Sequence, residues 1–164
     1  MPNENVRIDP PLYMAHTVTR CWKCDADMPV VALIAPHVIA SQFPEAEREV
    51  CILFYMEELP EVVLRFVRNH FPSFQLKYSK TTDSRYYANT CSKCGIIFGD
   101  NYLCEPDGPF FPTEETAKGL TVKAIPLGES ITVRAGAFGL GGDLLLKHAK
   151  RPDAGPTASG DPGC

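Results

Sequence analysis

Two short motifs constrain this chain more than anything else in it: "CWKC", Cys21 to Cys24, and "CSKC", Cys91 to Cys94. Each separates two cysteines by two residues and places a lysine before the second. Two thiolates at that spacing can take two corners of a tetrahedron if the backbone turns tightly around an ion, and two such pairs complete it. The residue after the second cysteine then needs a positive φ, which favours glycine and tolerates Asn or Asp. Gly95 and Asp25 hold those two positions. Backbone N–H groups in such turns point at the sulfurs and offset their charge, and Lys23 and Lys93 add cations near a centre of formal charge −2. Any fold built on this pattern must bring the pairs together although 66 residues, 25 to 90, lie between them. Loop-closure entropy rises slowly with length, so the separation is tolerable.

The chain does not need a metal for lack of a core. Its 164 residues are 45% hydrophobic and 22% charged, enough for one ordinary domain. A metal here would lock a region rather than substitute for a missing interior. The net charge of −4 opposes indiscriminate attraction to phosphate or anionic lipid. No apolar run approaches the roughly 18 residues of a membrane helix, and "MPNENVRIDPP" lacks the basic and apolar regions of a signal peptide. The expectation is a cytoplasmic protein that does not enter the membrane. In that reducing setting CxxC pairs point to metal binding or catalysis rather than to structural disulfides.

Read for organisation, residues 1–11 form a flexible N-terminal arm, 12–149 a single domain and 150–164 a disordered, Pro/Gly/Ser-rich tail. "LYMAHTVTRCW" and "MPVVALIA" predict strands flanking the first pair. "VCILFYMEEL" is nearly all apolar at its start, as in a strand buried on both faces. "PEVVLRFVRNHFP" is the clearest helix: Pro60 suits its start, Glu61 its first turn, and Pro72 stops it. "FQLKYSK" and "RYYANT" predict two more strands around a "TTDS" turn, the second running into Cys91. "GIIFGDNYLCE" reads as a strand bending at Gly99. "TEETAKGL" predicts a short helix ended by Gly119, and "TVKAIPL" and "SITVRAGAFGL" predict strands joined by a tight "GE" turn. The fold class is α+β, mostly antiparallel sheet with one clear helix.

"CWKCD" and "CSKCG" resemble the two zinc knuckles of zinc-ribbon proteins. The resemblance covers about ten residues. It implies that Cys21, Cys24, Cys91 and Cys94 share one structural zinc, with each knuckle joining two strands. The departure is the spacing, since a ribbon usually separates its pairs by roughly 15–20 residues. Here a strand, a helix and another strand would be inserted between the two halves of the site.

The rival chemistry is thiol–disulfide exchange, which needs a thiol at a helix N-terminus. Both pairs run into β-branched, strand-like sequence, which speaks against it; unrelated reduced thiols are the third alternative. Cys51 and Cys104 read as packed thiols and Cys164 as a thiol in the tail. His16, His37, His70 and His148 have no metal spacing between them, although His16 precedes Cys21 by five residues. There is no paired-carboxylate constellation, phosphate loop or nucleophile–base signature, and "GLGGD", Gly139 to Asp143, reads as a flexible turn not followed by a helix. The expected function is therefore a non-catalytic binding or regulatory module whose partner is another protein. The alternative partner is nucleic acid. From Arg65 to Lys93, cations alternate with aromatics, and Lys77, Lys80 and Arg85 would be its contacts.

Overall fold

The computed structural model describes residues 3–42, 44, 47, 49–105, 108–138 and 142–151. The elements are β1 Glu4–Ile8, β2 Leu12–Arg20, β3 Asp27–Ala35, β4 Val38–Ala40, β5 Cys51–Glu58, α1 Glu61–His70, β6 Phe74–Ser79, β7 Ser84–Thr90, β8 Ile97–Phe98, α2 Asp100–Leu103, α3 Glu114–Ala117, β9 Thr121–Ile125, β10 Ile131–Phe138 and α4 Gly142–His148. Seven strands form one sheet in the order β4-β1-β10-β5-β3-β2-β9, and three form a second, β6-β7-β8. Neighbouring strands pair antiparallel in both sheets, so the architecture is α+β with a mostly antiparallel framework and short helices.

The large sheet cannot be flat. Three strands separate β1 from β2, so a flat sheet would place them about 19 Å apart at about 4.8 Å per strand. The four residue steps from Ile8 to Leu12 reach at most about 14 Å. The sheet therefore curls, and Val6 and Ile8 of β1 meet Leu12 and Met14 of β2 in one fully buried cluster.

Successive residues of the inner strands enter opposite cores. Leu33 and Leu53 belong to the first cluster, while Ile34, Ile52 and Phe54 belong to a second. This double burial accounts for the apolar run in "VCILFY". Val63 and Val67 of α1 close the first face, spaced by one helical turn. Leu103, Phe110, Ala117 and Leu145 cover the second.

The small sheet is fastened to the large one by polar contacts that local patterning does not reveal. The buried Asn89 amide donates to Val31 O at 3.0 Å and accepts from Val31 N–H at 2.9 Å, bridging β7 and β3. Asp100 accepts the Tyr55 N–H at 2.8 Å, and Tyr55 meets Tyr86 edge to face with centroids 5.0 Å apart.

Five sequence expectations are corrected. Residues 4–8 are not a loose arm: β1 lies between β4 and β10, and Val6 and Ile8 are fully buried. The alternation that seats them is only five residues long, flanked by polar and proline residues that mask it. β9 and β10 do not form a hairpin, because β9 pairs with β2 while β10 pairs with β1 and β5. The order of the sheet gives both strands neighbours that are remote in sequence. The strand after the second cysteine pair stops at Phe98, and α2 follows. A helix, α4, starts at Gly142, inside "GLGGD"; Gly142 is buried in it, and a Cβ there would come within 2.7 Å of Val50 O. Lys150 still belongs to the folded part, since its N–H donates to Leu120 O at 2.9 Å and its carbonyl accepts from Val122 N–H at 2.7 Å. The expected tail at 152–164, with Cys164, lies outside the described residues.

Candidate metal centre

The two cysteine pairs close the ends of two hairpin-like turns, one between β2 and β3 in the large sheet, the other between β7 and β8 in the small one. Their backbones repeat each other. Cys21 N–H donates to Ala26 O at 2.9 Å, and Asp25 N–H donates to Cys21 O at 2.9 Å. In the second turn Cys91 N–H donates to Ile96 O at 2.9 Å, and Gly95 N–H donates to Cys91 O at 2.8 Å. Asp25 and Gly95 have φ of 62° and 78°, the left-handed conformation expected of the residue after each pair.

Folding brings the pairs together. The four Sγ atoms lie within 4.8 Å of one another, and this group can hold a metal ion. Cys21 Sγ and Cys94 Sγ are 3.6 Å apart, as are Cys24 Sγ and Cys91 Sγ. A disulfide needs about 2.05 Å, whereas four sulfurs about 2.3 Å from a tetrahedral ion stand about 3.8 Å apart. The first cysteine of each pair, Cys21 and Cys91, is buried, and Cys94 is exposed.

Backbone amides prepare the sulfurs for negative charge. Lys23 and Cys24 N–H point at Cys21 Sγ at 3.4 and 3.5 Å, and Lys93 and Cys94 N–H point at Cys91 Sγ at the same two distances. The Cys94 N–H, set against burial and helped by the Lys93 N–H, lowers the Cys91 thiol to about 6. The Cys24 N–H likewise lowers Cys21. At Cys24 the Ala26 N–H pulls downward, but burial and the neighbouring sulfurs prevail and raise the thiol to about 11. Sulfurs this close cannot all ionise without a cation between them. The lysine side chains at 23 and 93 are exposed.

Among the described residues, the other sulfurs and the imidazoles stay out of the group. Cys51 and Cys104 are buried, and burial raises both thiols, Cys51 to about 11. His16 packs against Phe71 with ring centroids 5.0 Å apart, and burial lowers its pKa, with His70 and Lys123 adding to the effect.

The basic residues singled out from the sequence divide. Lys77 pairs across the ladder with Tyr86, and Arg85 with Tyr78. Alternation along β6 and β7 therefore puts Lys77 and Arg85 on opposite faces of the small sheet. Lys77 and Lys80 line a groove of about 530 Å³ that also reaches Trp22, Tyr86 and Tyr102.

Three residues gain importance only in three dimensions. Trp22, inside the first pair, is 62% exposed while its indole N–H donates to Ile97 O at 3.2 Å, on the strand after the second pair. Tyr102 is 55% exposed beside it, and both line two adjoining pockets. Asp100 is buried, and desolvation raises its carboxyl to about 7 against the opposing Tyr55 N–H. Nothing in a one-dimensional pattern marks an exposed tryptophan or a buried aspartate. The only cue was the placement of Trp22 between two candidate ligands.

The chain matches no protein-family model, no curated protein and no solved structure.

Proposed function

We propose that this is a non-catalytic binding module, locked by one structural zinc on Cys21, Cys24, Cys91 and Cys94, that acts in a reducing cytoplasm on a protein partner. Four thiolates suit zinc, and a closed four-cysteine set leaves no position for substrate or activated water. The knuckle-on-hairpin geometry supports the zinc-ribbon resemblance, in a variant whose two knuckles belong to different sheets. The observation that carries the binding reading is the position of Trp22. It is held at both ends of the metal centre, by the first knuckle's backbone and by Ile97 O, and yet is exposed next to exposed Tyr102. Aromatic side chains fixed at low entropic cost are the groups on which protein interfaces concentrate affinity.

Thiol exchange is less well supported, because β3 and β8 follow the pairs where a redox pair needs a helix start. Reduction of an insulin-type disulfide substrate, lost in Cys24→Ser, would overturn the non-catalytic reading. The nucleic-acid alternative is favoured by one observation, the convergence of Lys77 and Lys80 on the groove beside Trp22 and Tyr102.

The test is capture from the native cell with wild type and Trp22→Ala in parallel, together with binding of single- and double-stranded nucleic acid at about 50 and 200 mM salt. The proposal expects a protein recovered stoichiometrically by wild type and lost with Trp22→Ala. Micromolar nucleic-acid binding that falls steeply with salt and is abolished by glutamate at Lys77 and Lys80 would replace it with the alternative.

A further inference from the structure

Adjoining the lysine groove, and sharing Trp22 and Tyr102 with it, lies a pocket of about 500 Å³, within the usual range for ligand sites. Three of the residues lining it are aromatic: Trp22 from the first knuckle, Phe98 from β8 and Tyr102 from α2. Among the described residues that line it, Glu105 bears the only charge. Three aromatic walls and one carboxylate attract a cation twice, through the negative faces of the rings and through direct charge. Among the described lining residues, a phosphate-bearing ligand would meet only the carboxylate as a charged group.

The walls are anchored. Trp22 is fixed by its hydrogen bond to Ile97 O. Beside the pocket, the loop at 108–110 is held to the end of α2 by Gly108 N–H donating to Glu105 O at 2.7 Å and Phe110 N–H donating to Leu103 O at 2.8 Å. A Cβ on Gly108 would come within 2.5 Å of Tyr102 O, so the loop can approach the helix this closely only with glycine there.

We propose that this pocket binds an alkylated ammonium group, supplied by a methylated lysine of the partner protein. Methylation keeps the charge while reducing its hydration, which is the combination an aromatic enclosure favours over a strongly hydrated plain ammonium. The pocket's volume leaves room for the stem that carries the cation. The proposal rests on the reading of the molecule as a protein-binding module and names the chemistry it recognises.

The experiment is ligand-observed NMR on the full-length, metal-loaded protein, following the methyl signal of choline, of its neutral isostere 3,3-dimethylbutan-1-ol, and of a short trimethyllysine peptide beside the same peptide with plain lysine. Saturable binding is expected for choline and the methylated peptide, with the neutral isostere and plain lysine each weaker by about tenfold. Tyr102→Ala should weaken binding about tenfold and Glu105→Gln about threefold to tenfold, with metal content and far-ultraviolet circular dichroism unchanged. The isostere binding as tightly as choline, or saturation by neither cation, would overturn the proposal. Choline binding as tightly as the methylated peptide would overturn the protein source and leave a free small molecule as the ligand. Metal content and partner capture are read separately. A pocket that fails while Trp22-dependent capture persists therefore overturns this inference without touching the binding module itself.

Discussion

The two knuckles are nearly the same object in different settings. Their N–H-to-sulfur distances agree at 3.4 and 3.5 Å, and their turn hydrogen bonds agree within 0.1 Å. Yet the first carries Trp22 and Asp25 where the second carries Ser92 and Gly95. What is repeated is what a metal demands: the sulfur spacing, the amides aimed at sulfur and the left-handed residue. What differs is free to serve recognition, and the difference places a tryptophan between two pockets on one side only.

The symmetric part can be broken first. Cys21→Ser and Cys91→Ser should each lose the metal and cost several kcal/mol, because each removes a ligand from a centre that ties one sheet to the other. The two losses should be close to equal; chemical denaturation of metal-loaded protein checks this. Cys51→Ala should leave metal content unchanged, since Cys51 is outside the cluster.

The next effect lies away from both knuckles, where α2 meets β5 of the large sheet. Asp100 keeps its proton in the folded state up to about pH 7, whereas an unfolded aspartate loses it near 3.9. The folded protein thus binds the proton more strongly. Stability from this group is fully present below about pH 4 and is lost as pH rises through about 7. Asp100→Asn keeps an acceptor for Tyr55 N–H and removes the buried charge. It should be stabilising relative to wild type by on the order of a few kcal/mol at pH 8 and by little at pH 4.5. Taking the wild-type-minus-variant difference at each pH cancels the opposite, acid-driven loss of metal.

The two left-handed positions should respond differently to substitution. Gly95→Ala meets no atom within 4 Å, so its cost is backbone alone, about 1 kcal/mol. Asp25→Gly relieves the same conformation but loosens the unfolded chain and removes an exposed ion pair to Arg20 at 3.2 Å. Its net effect should stay within about 0.5 kcal/mol. Thermal melts of the two variants should therefore differ although the native φ values match. Smallest of all on stability is Trp22→Ala, which should leave metal content intact while abolishing partner capture; Ser92→Ala should change neither.

How much of this was legible in the sequence follows from the range of the forces involved. The knuckles could be read because tetrahedral thiolate binding fixes spacing and backbone sign within five residues. Strands β2, β3 and β5 and helix α1 could be read because each buries a long periodic or continuous apolar stretch. β1 was obscure because five residues between polar and proline flanks carry too short a pattern. The β9–β10 hairpin failed because a tight turn indicates only that two strands are near in sequence, whereas the curled sheet pairs each with remote partners. The Asn89 and Asp100 links, and the exposure of Trp22, depend on contacts between elements and have no local signal. The basic stretch shows the same limit, since the parity of an antiparallel pair sends Lys77 and Arg85 to opposite faces.

On the proposed reading, the four thiols of these two turns share one zinc. Elemental analysis of protein purified under reducing conditions without chelator tests it most directly. One zinc per chain is expected in wild type and in Cys51→Ala, and near zero in Cys21→Ser and Cys91→Ser. A stoichiometry near zero in wild type, or one zinc retained after both serine substitutions are combined, would contradict it.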